Sequence, residues 1–481
     1  MDKARETALK ALMEIETKEA YSNLVLKKLL KNNALDTRDR AFITELVYGT
    51  VTRQLTLDWI ISMYSKTKLA KLSKWVLLIL RMGIYQIVFL DKVPHSAACN
   101  TSVDLAKKYA KASSGFVNAI LRNISRNGID LNKIDTDSKA GNMSVRYSFP
   151  KHLIEQWLSQ YGEYAEYGDY GEYGDYGEYA EYGENGEYGE KGKYGEEFTE
   201  KLLASLLERP EFSVRVNTLK TTQEKAIESF GSEGIEAKPG RFLEEALIIN
   251  NSSDISMAQP FIKGEITVQD ESSMLVARIL DPKAGERVLD VCAAPGGKTT
   301  HIAQLMRNQG QITAWDIYEH KVRLISENSA RLGITIINAL ENDATQLVNS
   351  AINQYDRVLA DVPCSGTGII RRKPDIKWQQ DVDNVGNLIE IQKKILYNAS
   401  RYVKSGGVLV YSTCSLDDRE NVQVVRAFLK TEREFEPEPL LAYLPEPLKN
   451  KNGVNNGMLR LYPHIDGTDG FFIARLKKKA K

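Results

Sequence analysis

Leucine, isoleucine and alanine recur at three- and four-residue spacing from Ala4 to Leu30, from Ala41 to Met63 and from Trp75 to Leu90. A stripe of that period predicts amphipathic helices, each burying one face. Thr37-Arg38-Asp39-Arg40 reads as a helix start with Thr37 as the cap. Pro94 breaks the chain before a further helix over 96–109, and 113–126 predicts another with a basic tail, Arg122 and Arg126. Residues 1–127 therefore read as an all-helical domain. Residues 128–145 are polar, with Asn127-Gly128 and Gly141-Asn142, and read as a linker; linker and a following helical segment fill 128–160.

Beyond residue 208 the period changes. Phe212–Asn217 alternates like a strand, 222–231 predicts a helix, and 246–249 and 265–268 predict further strands. A small α+β subdomain over 197–269 follows. From 270 to 481, short apolar runs at 287–292, 311–317, 334–339, 355–361, 406–412 and 471–476 alternate with helical stretches. That alternation predicts a doubly wound, Rossmann-like α/β domain.

Residues 161–196 fit neither period. Tyrosine recurs every third residue from Tyr161 to Tyr182, between glycines and acids, matching no helix or strand face. Such composition cannot bury enough apolar surface, so the tract is expected to be a disordered insert.

The tract also skews the charge. Residues 161–197 hold 12 acidic and 2 basic side chains, and the remaining chain 62 basic and 52 acidic, although the whole is neutral. Outside the tract this is a basic protein, suited to a polyanionic partner. Four scattered cysteines with no C-x-x-C pair exclude a disulfide framework and a structural zinc site, and fit a reducing cytoplasm. No metal is expected. The run Trp75–Leu90 carries Arg81 and Gln86 and is too short to span a bilayer, and Met1–Thr17 has no signal-peptide apolar core.

The candidate chemistry sits at strand ends. Cys292-Ala293-Ala294-Pro295-Gly296-Gly297-Lys298-Thr299 follows the first strand of the α/β region. A P-loop would need glycine where Cys292 stands, so ATP hydrolysis is disfavoured. The segment is instead a small-residue turn that lets a ligand approach the sheet edge. Asp290, Asp316, Asp343 and Asp361 each stand at or just past a strand end. Asp316 is placed to hold ribose hydroxyls and Asp343 to lie near an adenine amino group. Two cysteines occupy matching frames, Asp361-Val362-Pro363-Cys364-Ser365-Gly366 and Ser412-Thr413-Cys414-Ser415, after the runs Tyr355–Ala360 and Val408–Tyr411. A thiolate, an acid and a methyl donor at one sheet edge is the set needed to methylate a pyrimidine at C5: addition to C6 makes C5 enamine-like. The residues alone leave open which cysteine attacks.

Val288–Thr300, Ala360–Gly368 and Tyr411–Asn421 resemble the motifs of the RNA 5-methylcytosine methyltransferases of the NOL1/NOP2/Sun group. The front half, with Tyr48-Gly49 and Val117-Asn118-Ala119-Ile120-Leu121-Arg122, resembles the NusB-like domain that precedes the catalytic region in one bacterial branch. The resemblance implies S-adenosylmethionine as donor, held by Cys292, Ala293, Ala294, Pro295, Gly296, Gly297 and Lys298 with Asp316, Asp343 and Asp361. It implies Cys414 as nucleophile and Cys364 as the residue that assists adduct release, with Asp361 and Lys298 beside the reacting base. It implies a 16S ribosomal RNA substrate, methylated at cytosine 967. Arg371, Arg372, Lys373 and Arg215 are candidate RNA contacts, and a cytoplasmic monomer is expected. A transfer RNA cytosine methyltransferase and a non-catalytic RNA-binding or antitermination factor are the competing readings. The tyrosine tract is the departure from the family pattern.

Overall fold

The computed structural model describes residues 2–18, 20–31, 35–164, 188–250, 255–379 and 382–480. It divides into two compact units, one of residues 1–159, 196–207 and 370–379, the other of 160–195, 208–369 and 380–481. No helix among the described residues is long and apolar enough to cross a membrane.

Seven helices lead the first unit: Lys3–Lys18, Ser22–Lys31, Thr37–Thr52, Gln54–Tyr64, Lys74–Phe89, His95–Tyr109 and Ser114–Asn127. Leu9, Ile43, Leu46, Ile60, Ile79, Leu80, Leu105 and Leu121 form their common core. Lys74–Phe89 is buried along most of its length, as an almost wholly apolar sequence requires. Its buried polar residues Arg81 and Gln86 are paired. Arg81 donates two 2.7 Å bonds to Asp58, and Gln86 accepts from Arg5 Nε at 2.6 Å. A Cβ at Gly49 would lie 1.9 Å from Tyr85 Cζ, so glycine admits that ring, whose hydroxyl donates to Glu45 at 2.6 Å.

Two local expectations are corrected in this unit. The cap of the third helix is Asp36, not Thr37: its side chain accepts from Asp39 N at 2.7 Å. The stretch expected as a linker contains the helix Lys139–Tyr147, capped by Ser138. Its formers are weak, but burial of Ala140 and Met143 and the Thr56 Oγ1 to Val145 carbonyl bond (2.6 Å) hold it. Just after the candidate RNA contacts Arg371, Arg372 and Lys373, Pro374–Trp378 forms a 3-10 turn seated on the helices. Ser22 donates to Asp375 Oδ2 from its backbone N (3.1 Å) and hydroxyl (2.5 Å). Lys377 is buried and donates to the Thr52 carbonyl at 2.7 Å, and Trp378 Nε1 to that of Val51 at 3.0 Å.

The second unit holds two sheets. Strands β1 (Phe212–Val216), β2 (Glu236–Pro239), β3 (Ala246–Asn250) and β4 (Ile266–Val268) make an antiparallel sheet in the order β2-β3-β1-β4. Helix Gln223–Ser232 covers it through Ala226 and Phe230. β2 escapes the sequence pattern because it is a polar edge strand with no apolar alternation.

The larger sheet comprises β5 (Arg287–Asp290), β6 (Gln311–Asp316), β7 (Ile337–Glu341), β8 (Tyr355–Asp361), β9 (Val403–Thr413), β10 (Phe435–Pro437), β11 (Met458–Leu461) and β12 (Phe471–Lys478). Its order is β10-β12-β9-β8-β5-β6-β7, with β11 paired to β12. β5 to β9 are parallel, and β12 runs antiparallel to β9. The chain winds outward from β5 through β6 to β7, then returns to β8 on the other side. β5 and β8 thus flank the switch point, where a doubly wound sheet opens a crevice at its carboxyl edge.

The tyrosine tract is narrower than its composition implies. Helices Lys151–Tyr164 and Tyr188–Ser205 take in both of its ends, and Tyr161 is fully buried, edge-on to Tyr462 at 6.0 Å. The expected disorder of the middle of the tract concerns 165–187, which lie outside the described residues.

Candidate active site

β5 ends at Asp290, and the chain turns through Cys292–Gly296 into helix Gly297–Leu305. Ala293 N donates to the Trp315 carbonyl at 2.7 Å and Gly296 N to that of Ala293 at 2.8 Å. Gly296 has φ 99, and a Cβ there would sit 3.2 Å from Ile325 Cα, so the turn requires glycine.

Arg215 fixes the other side of this turn, and here the expectation of an RNA contact is corrected. Its side chain is only 1% exposed. It donates to the Gly297 carbonyl (2.7 Å), Thr300 Oγ1 (2.9 Å), Gln304 Oε1 (3.2 Å) and Gln269 Oε1. A guanidinium with five donors in a rigid fork suits such a junction, which ties the small sheet to the turn. Asn217, the residue just after that strand, is also buried, donating to the Gly264 and Leu332 carbonyls.

Asp316 is the last residue of β6, and Asp343 lies just past the end of β7. Asp316 accepts from Tyr318 N at only 3.3 Å, with Lys321 Nζ 3.9 Å away. Asp343 accepts from the backbone N and hydroxyl of Thr345 at 2.9 and 2.7 Å. Asn342 beside it carries a buried Nδ2 without a hydrogen-bond partner among the described residues.

At the switch point, Lys298 Nζ donates to Asp361 Oδ2 at 2.6 Å and Ser412 Oγ to Asp361 Oδ1 at 2.7 Å. Burial opposes the Lys298 charge, but the charge and hydrogen bond of Asp361 outweigh it and hold the ammonium above its ordinary range. The loops after β8 and β9 bring the thiols of Cys364 and Cys414 to 3.3 Å, sulfur to sulfur, both half-buried. The contact with Cys414, burial, and the charges of Cys414 and Glu420 push the Cys364 thiol well up. Burial does the same to Cys292, aided by Asp290, Asp361 and Asp316.

Lys298, Asp361, Cys364 and Cys414 are therefore gathered at one sheet edge, with Cys292 to Gly297 as its adjoining wall. Arg371 and Arg372 are half-buried and Lys373 exposed in the helical unit.

One residue of the site, Glu420, escapes the sequence reading, and another, Asp290, is marked there only as a strand-end acid without a role. Asp290 accepts from Thr299 Oγ1 at 2.7 Å, and burial pushes its carboxyl up to about 7. Its strand-end position carries the same signal as the other three acids. Glu420 lies in the Tyr411–Asn421 segment, but no spacing or neighbour marks it as special. It is fully buried and accepts from Ser365 N (2.8 Å), Ser365 Oγ (2.5 Å), Gln392 Nε2 (2.9 Å) and Ser415 Oγ.

A doubly wound sheet with acids at the ends of β5, β6 and β8 and just past β7, and a small-residue turn after β5, fits the S-adenosylmethionine-dependent methyltransferase class. Family comparisons agree along the chain. The family described as 16S rRNA methyltransferase RsmB/F matches residues 277–477, the NusB family residues 2–126, and the Methyltr_RsmF/B-like, ferredoxin-like domain residues 191–256. A Bacillus subtilis (strain 168) protein described as "Probable ribosomal RNA small subunit methyltransferase B" is 40% identical over 99% of this chain and 98% of its own. The ribosomal RNA small subunit methyltransferase B of Proteus mirabilis (strain HI4320) is 28% identical over 99% of this chain and 98% of its own. The chain belongs to the ribosomal RNA small subunit methyltransferase B family, whose members are S-adenosylmethionine-dependent RNA methyltransferases. Among solved structures, PH0851 superposes with a TM-score of 0.76 at 27% identity, covering 98% of both chains. NSun6 from Pyrococcus horikoshii, solved with the donor analogue SFG, gives 0.54 at 26% identity over 60% of this chain and 96% of its own.

Proposed function

We propose that the protein methylates C5 of one cytosine in 16S ribosomal RNA, position 967, through a covalent adduct between Cys414 and C6. The observation that carries this reading is the pair of thiols 3.3 Å apart beside the Lys298–Asp361 ion pair. A structural role would need neither two facing thiols nor a charged pair at a sheet's carboxyl edge.

In this reading Cys414 adds to C6 while Asp361 stands at the N3 edge of the ring and Lys298 stays paired with Asp361. Electron density passes to C5, which takes the methyl group; loss of the C5 proton then expels Cys414, with Cys364 assisting. S-adenosylmethionine, when bound, supplies an electrophilic methyl carbon. The residues suited to it are the 292–298 turn, Asp316, whose carboxylate accepts from Tyr318 N at 3.3 Å, for the ribose, Asp343 for the adenine, beside the Asn342 amide that has no partner among the described residues, and Asp361 near the methionine end. The helical domain over 1–127 and the small sheet grip RNA by backbone and shape, with Arg371, Arg372 and Lys373 as phosphate contacts, and the crevice takes an unstacked cytosine.

The test is transfer of labelled methyl to protein-free 16S ribosomal RNA from a strain lacking this gene, with the product mapped by bisulfite sequencing. One protected cytosine at 967 is expected. Methylation of transfer RNA alone would overturn the substrate, and no methylation of any RNA would favour a binding factor.

A further inference from the structure

Two thiols in van der Waals contact pose a problem that the strand-end acids do not solve: only one can be the attacking group. We propose that Glu420 is a positioning residue that assigns the attack to Cys414, by clamping the Cys364 loop beside a buried negative charge. The inference rests on the reading that Cys414 adds to the cytosine.

Glu420 contacts the residue after each cysteine, Ser365 and Ser415, and so bridges both loops. The clamp is unequal. The Cys364 side gives it a backbone N–H and a hydroxyl, the Cys414 side a hydroxyl alone. Gln392 completes the set and also donates to the Pro363 carbonyl at 3.0 Å, locking the residue before Cys364. All four donors are neutral, and no cation pairs with Glu420 among the described residues. Arg419, next in the chain, turns to Asp417 at 3.0 Å, and the Tyr411 hydroxyl donates to the Glu420 main-chain carbonyl at 2.6 Å. A buried carboxylate held by neutral donors alone carries a desolvation cost that no counter-ion offsets.

That charge bears on the Cys364 thiol. Negative groups raise the cost of ionising Cys364: Glu420 and the neighbouring sulfur act on it directly. Cys414 packs in the cluster that includes Phe471, and the Lys298 ammonium lies 5.1 Å from the centre of that ring. Asp361 stands beyond Lys298 and is neutralised by it. Cys364 thus faces an anion and Cys414 lies on the side of a cation, which divides the roles: one remains a thiol that can give or take a proton, the other attacks.

The experiment is alkylation of the full-length protein by iodoacetamide from pH 6 to 9, with each cysteine's rate read by peptide mass spectrometry and Cys292 as internal reference. In the wild-type protein Cys414 is expected to react about tenfold faster than Cys364 at neutral pH. Glu420→Gln should cut that ratio at least about fivefold and move the Cys364 profile to lower pH, leaving the Cys414 profile in place. Ser365→Ala, which removes a hydroxyl but keeps the charge, should leave the ratio near its wild-type value. Retained S-adenosylmethionine binding shows that each variant is folded. If Glu420→Gln fails to fold, the wild-type ratio decides: equal or reversed reactivity overturns the proposal. An unshifted ratio in a folded Glu420→Gln protein overturns this inference alone. A shifted ratio in a protein that methylates no cytosine overturns the functional reading instead.

Discussion

The sulfur atoms of Cys364 and Cys414 lie 3.3 Å apart, although the residues belong to different loops 50 positions apart in the chain. β8 and β9 are neighbours, with Asp361 opposite Ser412, and each cysteine follows its strand by a residue or more. The pairing of two parallel strands therefore fixes the distance between the two reactive groups.

The first prediction uses that division of roles. Cys414→Ala should abolish methyl transfer, lowering the rate by at least about 1,000-fold, since a covalent nucleophile has no substitute. Cys364→Ala should instead accumulate a slow-migrating RNA–protein band on a denaturing gel. Accumulation in Cys414→Ala and not in Cys364→Ala would reverse the assignment.

Lys298→Met removes the cation from Asp361 and from the side of Cys414. Single-turnover methyl transfer should slow about 100-fold, the usual effect of losing one preorganised electrostatic partner. Lys298→Arg should recover little, because a guanidinium fork does not reproduce an ammonium at 2.6 Å in so closed a site. A near-normal rate in Lys298→Met would exclude the ion pair from the chemistry.

Arg215→Met is expected to act on stability and not on RNA affinity. It strips donors from buried acceptors at Gln269, Gly297, Thr300 and Gln304, which should cost about 3 kcal/mol in urea unfolding. The slope of log affinity against log salt for RNA should not change, whereas loss of a phosphate contact would reduce it by about one. A reduced slope with unchanged stability would restore Arg215 as an RNA contact.

His301 carries the pH prediction. It is fully buried, and burial, then the nearby Arg215 charge, lower its pKa from 6.5 to about 4 despite its 3.0 Å bond to Glu245. The carboxylate's cation is Arg278, so the imidazole stays neutral and donates from Nε2. Above pH 6.5 both folded and unfolded chains hold His301 neutral, and its contribution is complete. As pH falls toward 4 the unfolded chain takes up the proton first, and stability drops, by about 3 kcal/mol over the window. Urea unfolding at intervals from pH 7 to 4.5 should show this slope in the wild type and a shallower one in His301→Gln. Parallel slopes would refute it.

The legible parts of this protein are those with a period or a punctuation mark. The helices of 1–127 and the strands of the doubly wound sheet carry regular apolar spacing, and Cys364, Cys414 and Asp361 stand beside prolines, glycines and serines that end strands. Arg215 was misread because a strand's alternation tells which residues share a face, not whether that face meets water or another element. The 139–147 helix was hidden because its residues favour turns and only packing makes it helical. Glu420 was invisible for another reason: its partners Ser365 and Gln392 are distant in the chain, and a buried carboxylate is recognised by its donors, not by its neighbours in sequence.

The central claim, covalent attack by Cys414 on cytosine C6, is tested most directly with 16S ribosomal RNA in which cytidine is replaced by 5-fluorocytidine. Fluorine at C5 cannot leave as a proton, so the adduct persists after methyl transfer. Incubation with S-adenosylmethionine, nuclease digestion and peptide mass spectrometry should find one modified nucleotide joined to the peptide containing Cys414. A nucleotide joined to Cys364, or no adduct from an RNA that is nevertheless bound, would contradict the account.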